Sequence, residues 1–230
     1  MNSFKIISIV LLSLVIISCN KEEDEASGVG DAFTLTKRSG ANDVYGLSIY
    51  AYTYSSFKSV VALSTAEAGK TYTLKSNQGY KTNFIYDTPD ATYTTTKPVA
   101  STFNFTAIFE NGVTDEFQDV LSDKILAAPT IDTCKYNSTK NLLRLTWKPV
   151  TNAESYFINI TDSSALVFGS AVPVTITAVS ISTKVSGWVS TPVAGKTYKV
   201  KLYAYLYEAE KNTYNLQSVS IAETEVVWGD

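Results

Sequence analysis

Beyond residue 30 the chain reads as short runs in which apolar and polar residues alternate, the period of half-buried β-strands. Phe103, Phe105, Ala107 and Phe109 alternate, Asn111-Gly112 follows, and residues 113–120 return. That pattern predicts a hairpin whose two central turn residues take positive φ. Leu143, Leu145 and Trp147 form a second alternating run, Tyr156, Ile158 and Ile160 a third, and Val200, Leu202 and Ala204 a fourth. Tyr, Thr, Val, Ser and Phe dominate these runs, as suits strands, and no long window carries a helical stripe. The clearest break is Leu121-Ser122-Asp123-Lys124-Ile125-Leu126-Ala127-Ala128-Pro129. The chain is therefore expected to be all-β, with two tandem β-sandwich domains at residues 31–122 and 129–230.

The first eighteen residues break this texture. Lys5 precedes an apolar stretch from Ile6 to Ile17, interrupted only by Ser8 and Ser13. As a helix this stretch rises roughly 18 Å, short of the ~30 Å hydrocarbon core, so it reads as a secretory leader rather than a span. Ile16-Ile17-Ser18-Cys19 closes it. This tetrad resembles the lipobox of bacterial lipoproteins. The resemblance implies cleavage after Ser18, diacylglycerol on the Cys19 thiol, acylation of its new amino group, and a membrane partner held through that anchor. More than one acyl chain anchors stably, at about 0.8 kcal/mol per buried methylene.

Asn20-Lys21-Glu22-Glu23-Asp24-Glu25 follows directly. The cluster resembles the export signal of Bacteroidetes surface lipoproteins, which implies the outer membrane and its outer face. It also suits a solvated tether, since like charges repel. With the small residues Ala26-Ser27-Gly28-Val29-Gly30, residues 19–30 are expected to form a flexible acidic tether.

The second half carries a further likeness. Trp147, Val150, Ala153 and Tyr156, followed by Gly195, Tyr198, Val200, Leu202 and Ala204, stand in the order and spacing of a fibronectin type III domain. The stretch 161–194 is longer than that family needs and has room for extra strands at Ala165–Phe168 and Val172–Val185. In the first half, Gly69-Lys70-Thr71-Tyr72-Thr73-Leu74 echoes Gly195-Lys196-Thr197-Tyr198-Lys199-Val200, a sign of a related, immunoglobulin-like sandwich.

Composition narrows the chemistry. The whole chain has 19 basic and 22 acidic residues; removal of the leader takes Lys5 alone, which leaves net −4. Nucleic acid is not an expected partner, for want of clustered Lys and Arg. Histidine is absent, and with it the commonest general base and zinc ligand. No acid stands in an obviously apolar strand core, as two-carboxylate glycoside chemistry would require. Asp87 and Asp90 flank Pro89, too few carboxylates for calcium. Lipidation of Cys19 leaves Cys134 alone, a small hydrophobe on an edge strand rather than a nucleophile. No enzyme activity, cofactor or metal is expected.

Tyrosines supply the candidate site. If Val200, Leu202 and Ala204 face inward, as the fibronectin type III resemblance implies, Tyr203, Tyr205 and Tyr207 face outward. Phe157 and Asn159 then face outward on the neighbouring strand. Tyr50, Tyr52 and Tyr54 repeat the spacing in the first half. Cross-strand aromatic pairs also stabilise sheets by ~0.2–1 kcal/mol, and the 161–194 excursion or the other domain has the length to cover the row. As a binding face, the rows suit a glycan or a surface protein. The sequence thus points to a non-catalytic cell-surface lipoprotein acting as a binding or adhesion module. Its alternatives are a glycan-capturing accessory of an outer-membrane uptake system and a structural subunit of a surface assembly.

Overall fold

The computed structural model describes residues 26–209 and 215–229; the leader, Cys19 and the acidic run 20–25 lie outside the described residues. The strands are β1 (Gly28–Ser39), β2 (Asn42–Thr53), β3 (Phe57–Ser64), β4 (Thr71–Asn77), β5 (Tyr80–Asp87), β6 (Ser101–Phe109) and β7 (Thr114–Leu121) in the first half. The second half holds β8 (Ile131–Asn137), β9 (Leu142–Trp147), β10 (Ser155–Asp162), β11 (Ala165–Pro173), β12 (Ala178–Ile181), β13 (Thr197–Tyr207) and β14 (Leu216–Val227). The chain is an all-β protein of two sandwiches, each with its own apolar core.

In the second half β8, β9 and β12 form one sheet, and β11-β10-β13-β14 stack on it. This is the fibronectin type III-like arrangement expected from the Trp147 and Tyr198 patterns. Leu143, Leu145, Trp147, Tyr156, Ile158, Ile160, Val200, Leu202 and Ala204 are all buried, because alternation aims every one of them at the same core. Trp147 meets Tyr156 edge to face at 5.4 Å, and the Val150 amide donates to the Tyr156 hydroxyl at 2.9 Å. Trp147→Ala is expected to destabilise the fold by about 3–5 kcal/mol, read by urea unfolding. A loss below ~1 kcal/mol would remove Trp147 from the centre of this core.

In the first half β1-β2-β5 and β3-β6-β7 face each other, and β4 passes between them. Its Thr71–Leu74 pairs β3 and its Lys75–Asn77 pairs β5. The Gly-Lys-Thr-Tyr echo is structural. Gly69 and Gly195 both turn with positive φ, Tyr72 and Tyr198 are both buried, and Lys70 and Lys196 lie over their rings.

Two expectations need correction. Residues 26–30 are not part of a free tether. Ala26 is buried in the first core and Gly28–Gly30 open β1. Their smallness has a packing cause: a Cβ on Gly30 would lie 2.5 Å from the Phe105 ring, and one on Gly28 would strike Phe117. Second, the β6–β7 turn has positive φ only at Gly112, with Phe109 N–H to Val113 C=O at 2.9 Å closing a three-residue loop. The Asn111 side chain bonds the Val113 amide instead of supplying a second left-handed residue. The 121–129 stretch separates the strands of the two halves and is itself packed. Leu126 and Ala128 are buried; Leu126 N–H donates to Ser218 Oγ, and Ser122 and Gln217 bond each other twice.

The halves also share a sheet. β1 pairs β2 along its whole length, and its Thr34–Lys37 pairs Ser218–Ile221 of β14 in parallel. The result is one eleven-stranded sheet running β11-β10-β13-β14-β1-β2-β5-β4-β3-β6-β7. Thr34, Thr36, Ser218 and Ser220 fill the seam between the two cores and are fully buried.

Candidate functional site

Residues that oppose each other across a ladder share a face of the sheet. Phe157 opposes Tyr203, Tyr203 opposes Ile221, and Ile221 opposes Lys37 of β1. Two residues along, Tyr205 opposes Val219, which opposes Leu35. Asp31, four residues before Leu35 and so on the same face, opposes Tyr50 of β2. The row Tyr203-Tyr205 and the row Tyr50-Tyr52 therefore lie on one face of the shared sheet. The partner sheets β8-β9-β12 and β3-β6-β7 both stack on the opposite, core face.

The rows are side-shielded rather than freely exposed. Tyr203, Tyr205, Tyr207, Phe157, Asn159 and Tyr50 are half-buried, and Tyr52 is 37 % exposed. Rings of Tyr203 and Tyr205 lie 6.2 Å apart and 7° from parallel, and those of Tyr205 and Tyr207 6.3 Å and 22°. Burial between its neighbours pushes the Tyr205 hydroxyl up to about 12. The Tyr207 hydroxyl shares a 3.0 Å hydrogen bond with Ser155 Oγ, and Asn83 donates to the Tyr50 hydroxyl. Asn159 Oδ1 is buried without a hydrogen-bond partner. Tyr54 does not continue its row, because β2 ends at Thr53 and Tyr54 stands wholly exposed in the following turn.

The 161–194 excursion leaves this face free. Its β11 widens the sheet and its β12 joins the other one. Residues 187–190 run along the outer edge of β11, with the Val189 amide donating to Val167 C=O at 2.8 Å. Trp188 turns inward between Phe168 and Trp228, at 4.9 and 5.1 Å. One loop does touch the face: Tyr93 packs on Gly46, where a Cβ would lie 2.7 Å from the ring, and Lys37 sits 4.6 Å over Tyr93.

One group of side chains was missed. Asp31, Asp119 and Glu208 bring carboxylate oxygens within 4.8 Å of one another. They stand where the free edge of β1 passes from β7 to β14. Ala32 N–H donates to Asp119 at 2.7 Å, and Leu216 N–H donates to Asp31 at 3.0 Å. The carboxylates thus satisfy backbone donors that no neighbouring strand reaches. Burial pushes Asp31 up to about 8 and raises Asp119 as well. This corrects the expectation that no acid enters a core. The signal was present: Asp119 alternates with Phe117 and Leu121, which point inward, whereas Val120 is 58 % exposed. Three such oxygens could hold a hard cation, and a carboxyl titrating near 8 could donate a proton. Here both aspartates are committed to main-chain amides.

Elsewhere the groups singled out have partners. Asp87 accepts from Ser48 Oγ at 2.6 Å, and Asp90 pairs with Lys37 at 2.5 Å, so the two do not converge. Burial pushes the Cys134 thiol up to about 11, away from the reactive thiolate.

No family model matches the sequence, and no curated protein matches it. Among solved structures, a cytokine receptor complex is similar over 80% of this chain and 92% of its own, at 11% identity and TM-score 0.33. A two-domain fibronectin type III segment from chicken tenascin is similar over 82% and 98%, at 14% identity and TM-score 0.29. The BSP domain of a biofilm-associated protein is similar over 90% and 53%, at 8% identity and TM-score 0.28. These likenesses are too distant to bear on function.

Proposed function

We propose that the protein is a non-catalytic, lipid-anchored cell-surface module that binds or adheres through the aromatic face of its shared sheet. The supporting observation is the placement of both tyrosine rows on one face that lacks a partner sheet. Such a face, with Phe157, Tyr203, Tyr205, Ile221, Leu35 and Tyr50 in adjacent strands, is larger than either sandwich would offer alone. Tyrosine contributes apolar area and a hydrogen-bonding hydroxyl at little entropic cost, which suits a sugar chain or a protein surface. The lipobox resemblance at Cys19 and the acidic run after it support display on the outer face of the outer membrane.

The test is binding of the mature chain to a glycan array and to beads coated with intact bacterial cells. Tyr203→Ala/Tyr205→Ala is expected to lose at least tenfold in binding, about 1.4 kcal/mol, with its thermal unfolding still cooperative. Binding that survives the double substitution in a folded protein would remove this face from the function.

A further inference from the structure

The exposed tyrosines are not spread over the molecule. Among the described residues, the most exposed tyrosines are Tyr52, Tyr54 and Tyr80, at 37 %, 101 % and 64 %. All three lie at one end of the first sandwich. Gly28 opposes Thr53, so the start of β1 and the β2–β3 turn with Tyr54 share that end. Tyr52 opposes Asn83 of β5, which places the β4–β5 turn with Tyr80 beside them. The Glu110 amide donates to Ser56 C=O at 2.9 Å, which brings in the β6–β7 turn with Val113, 45 % exposed. Each connection at this end thus presents one large exposed side chain, set beside small polar residues and the Lys81–Glu110 ion pair.

This is also the end at which the chain enters. Ala26 is buried, Thr53 Oγ1 donates to Ser27 C=O at 2.6 Å, and Gly28 N–H donates to Asp115 at 2.9 Å. Seven residue steps separate Ala26 from Cys19, a reach of at most about 25 Å in any conformation. An acyl anchor on Cys19 would therefore keep this end within about 25 Å of the bilayer. Tyrosine favours that boundary, where its ring meets apolar chains and its hydroxyl meets water.

We propose that the end carrying Tyr52, Tyr54, Tyr80 and Val113 rests on the lipid surface to which Cys19 is anchored. The inference rests on the lipoprotein reading of Cys19 and adds an orientation to it. β14 runs parallel to β1 and extends past its end, so the second sandwich points away from the membrane. The Tyr203 row, level with Leu35 and Lys37, would stand roughly 25–30 Å from Gly28 along the strands.

The experiment uses the full chain made in a lipidating bacterial host, with Cys134→Ala and one new cysteine at a time: Tyr54→Cys, Tyr80→Cys, or Ser164→Cys. Ser164 is exposed in the β10–β11 turn, at the far end beside the level of Glu225. Each purified protein carries a nitrobenzoxadiazole label and is placed in vesicles of phosphatidylethanolamine and phosphatidylglycerol. Labels at 54 and 80 are expected to shift to the blue and to lose iodide quenching several-fold, whereas the label at 164 does neither. If all three remain equally quenched in vesicle-bound, lipidated protein, the orientation is wrong while the anchor stands. If labels at 54 and 80 are already shielded in the unlipidated Cys19→Ala protein without vesicles, another copy covers this end and the lipid contact fails. Radioactive palmitate incorporation is followed in parallel; label that persists in Cys19→Ala overturns the anchor and the orientation together.

Discussion

A Thr34→Pro chain is expected to lose stability in both halves at once. Thr34 lies in β1, paired with Leu47 of β2 on one side and with Ser218 of β14 on the other, and is fully buried. Proline there removes a ladder hydrogen bond and imposes φ near −65° on an extended central strand, at a cost of about 3 kcal/mol or more. All three tryptophans, Trp147, Trp188 and Trp228, lie in the second half, whereas the substitution lies in the first. Their fluorescence therefore reports unfolding of a region whose covalent structure is unchanged. The expected result is a fall in the tryptophan-monitored urea midpoint that coincides with the fall seen by far-ultraviolet circular dichroism. A tryptophan midpoint equal to that of the unsubstituted chain would mean that the shared sheet does not couple the two cores.

The second large effect is one of pH. Burial pushes Asp31 up to about 8; the Leu216 amide opposes this, and the charges of Asp119 and Glu208 add to it. In the unfolded chain the same carboxyl titrates near 3.8. Between those values the folded state keeps a proton that the unfolded state has released. Asp31 therefore weakens the fold progressively as pH rises from about 4 to about 8, and its effect is constant above and below that window. The size is on the order of a few kcal/mol. Asp31→Asn keeps an oxygen for the Leu216 amide and removes the charge. In buffer with a chelator, this variant is expected to unfold at higher urea than the unsubstituted chain at pH 8 and to match it at pH 4. A variant that is less stable than the unsubstituted chain at pH 8 would refute burial as the dominant influence on this carboxyl.

The strands of the second half were legible because their alternation is strict. Leu143-Leu145-Trp147 and Val200-Leu202-Ala204 each place every second residue in one core, so period two sufficed to locate both the strands and their outward tyrosines. Phe103 to Phe109 were legible for the same reason. Gly28 and Gly30 were not. Two glycines beside an acidic run have the composition of a flexible linker, and only the rings of Phe105 and Phe117 show that the strand requires them. Tyr54 shares the spacing of Tyr50 and Tyr52 but stands one residue beyond the end of β2, a boundary that spacing does not mark. Asp31 and Asp119 are separated by 88 positions in sequence, and no local pattern signals that they meet.

By itself the sequence determined the local features: the all-β texture, the paired sandwiches, and the side of each strand that its tyrosines occupy. These depend on neighbours within a few residues, where periodicity and turn chemistry act. The tertiary structure decided that β1 joins β14, that the two tyrosine rows therefore share one face, that three carboxylates converge at the fork, and that the exposed tyrosines gather where the chain enters. The first two depend on backbone pairing between segments 184 positions apart, as where Thr34 pairs with Ser218, and the carboxylate group depends on the Leu216 amide reaching the Asp31 side chain. A parallel pairing of that separation is set by which edges remain free once both cores have closed, a property of the assembled sheets that no single stretch of the sequence carries.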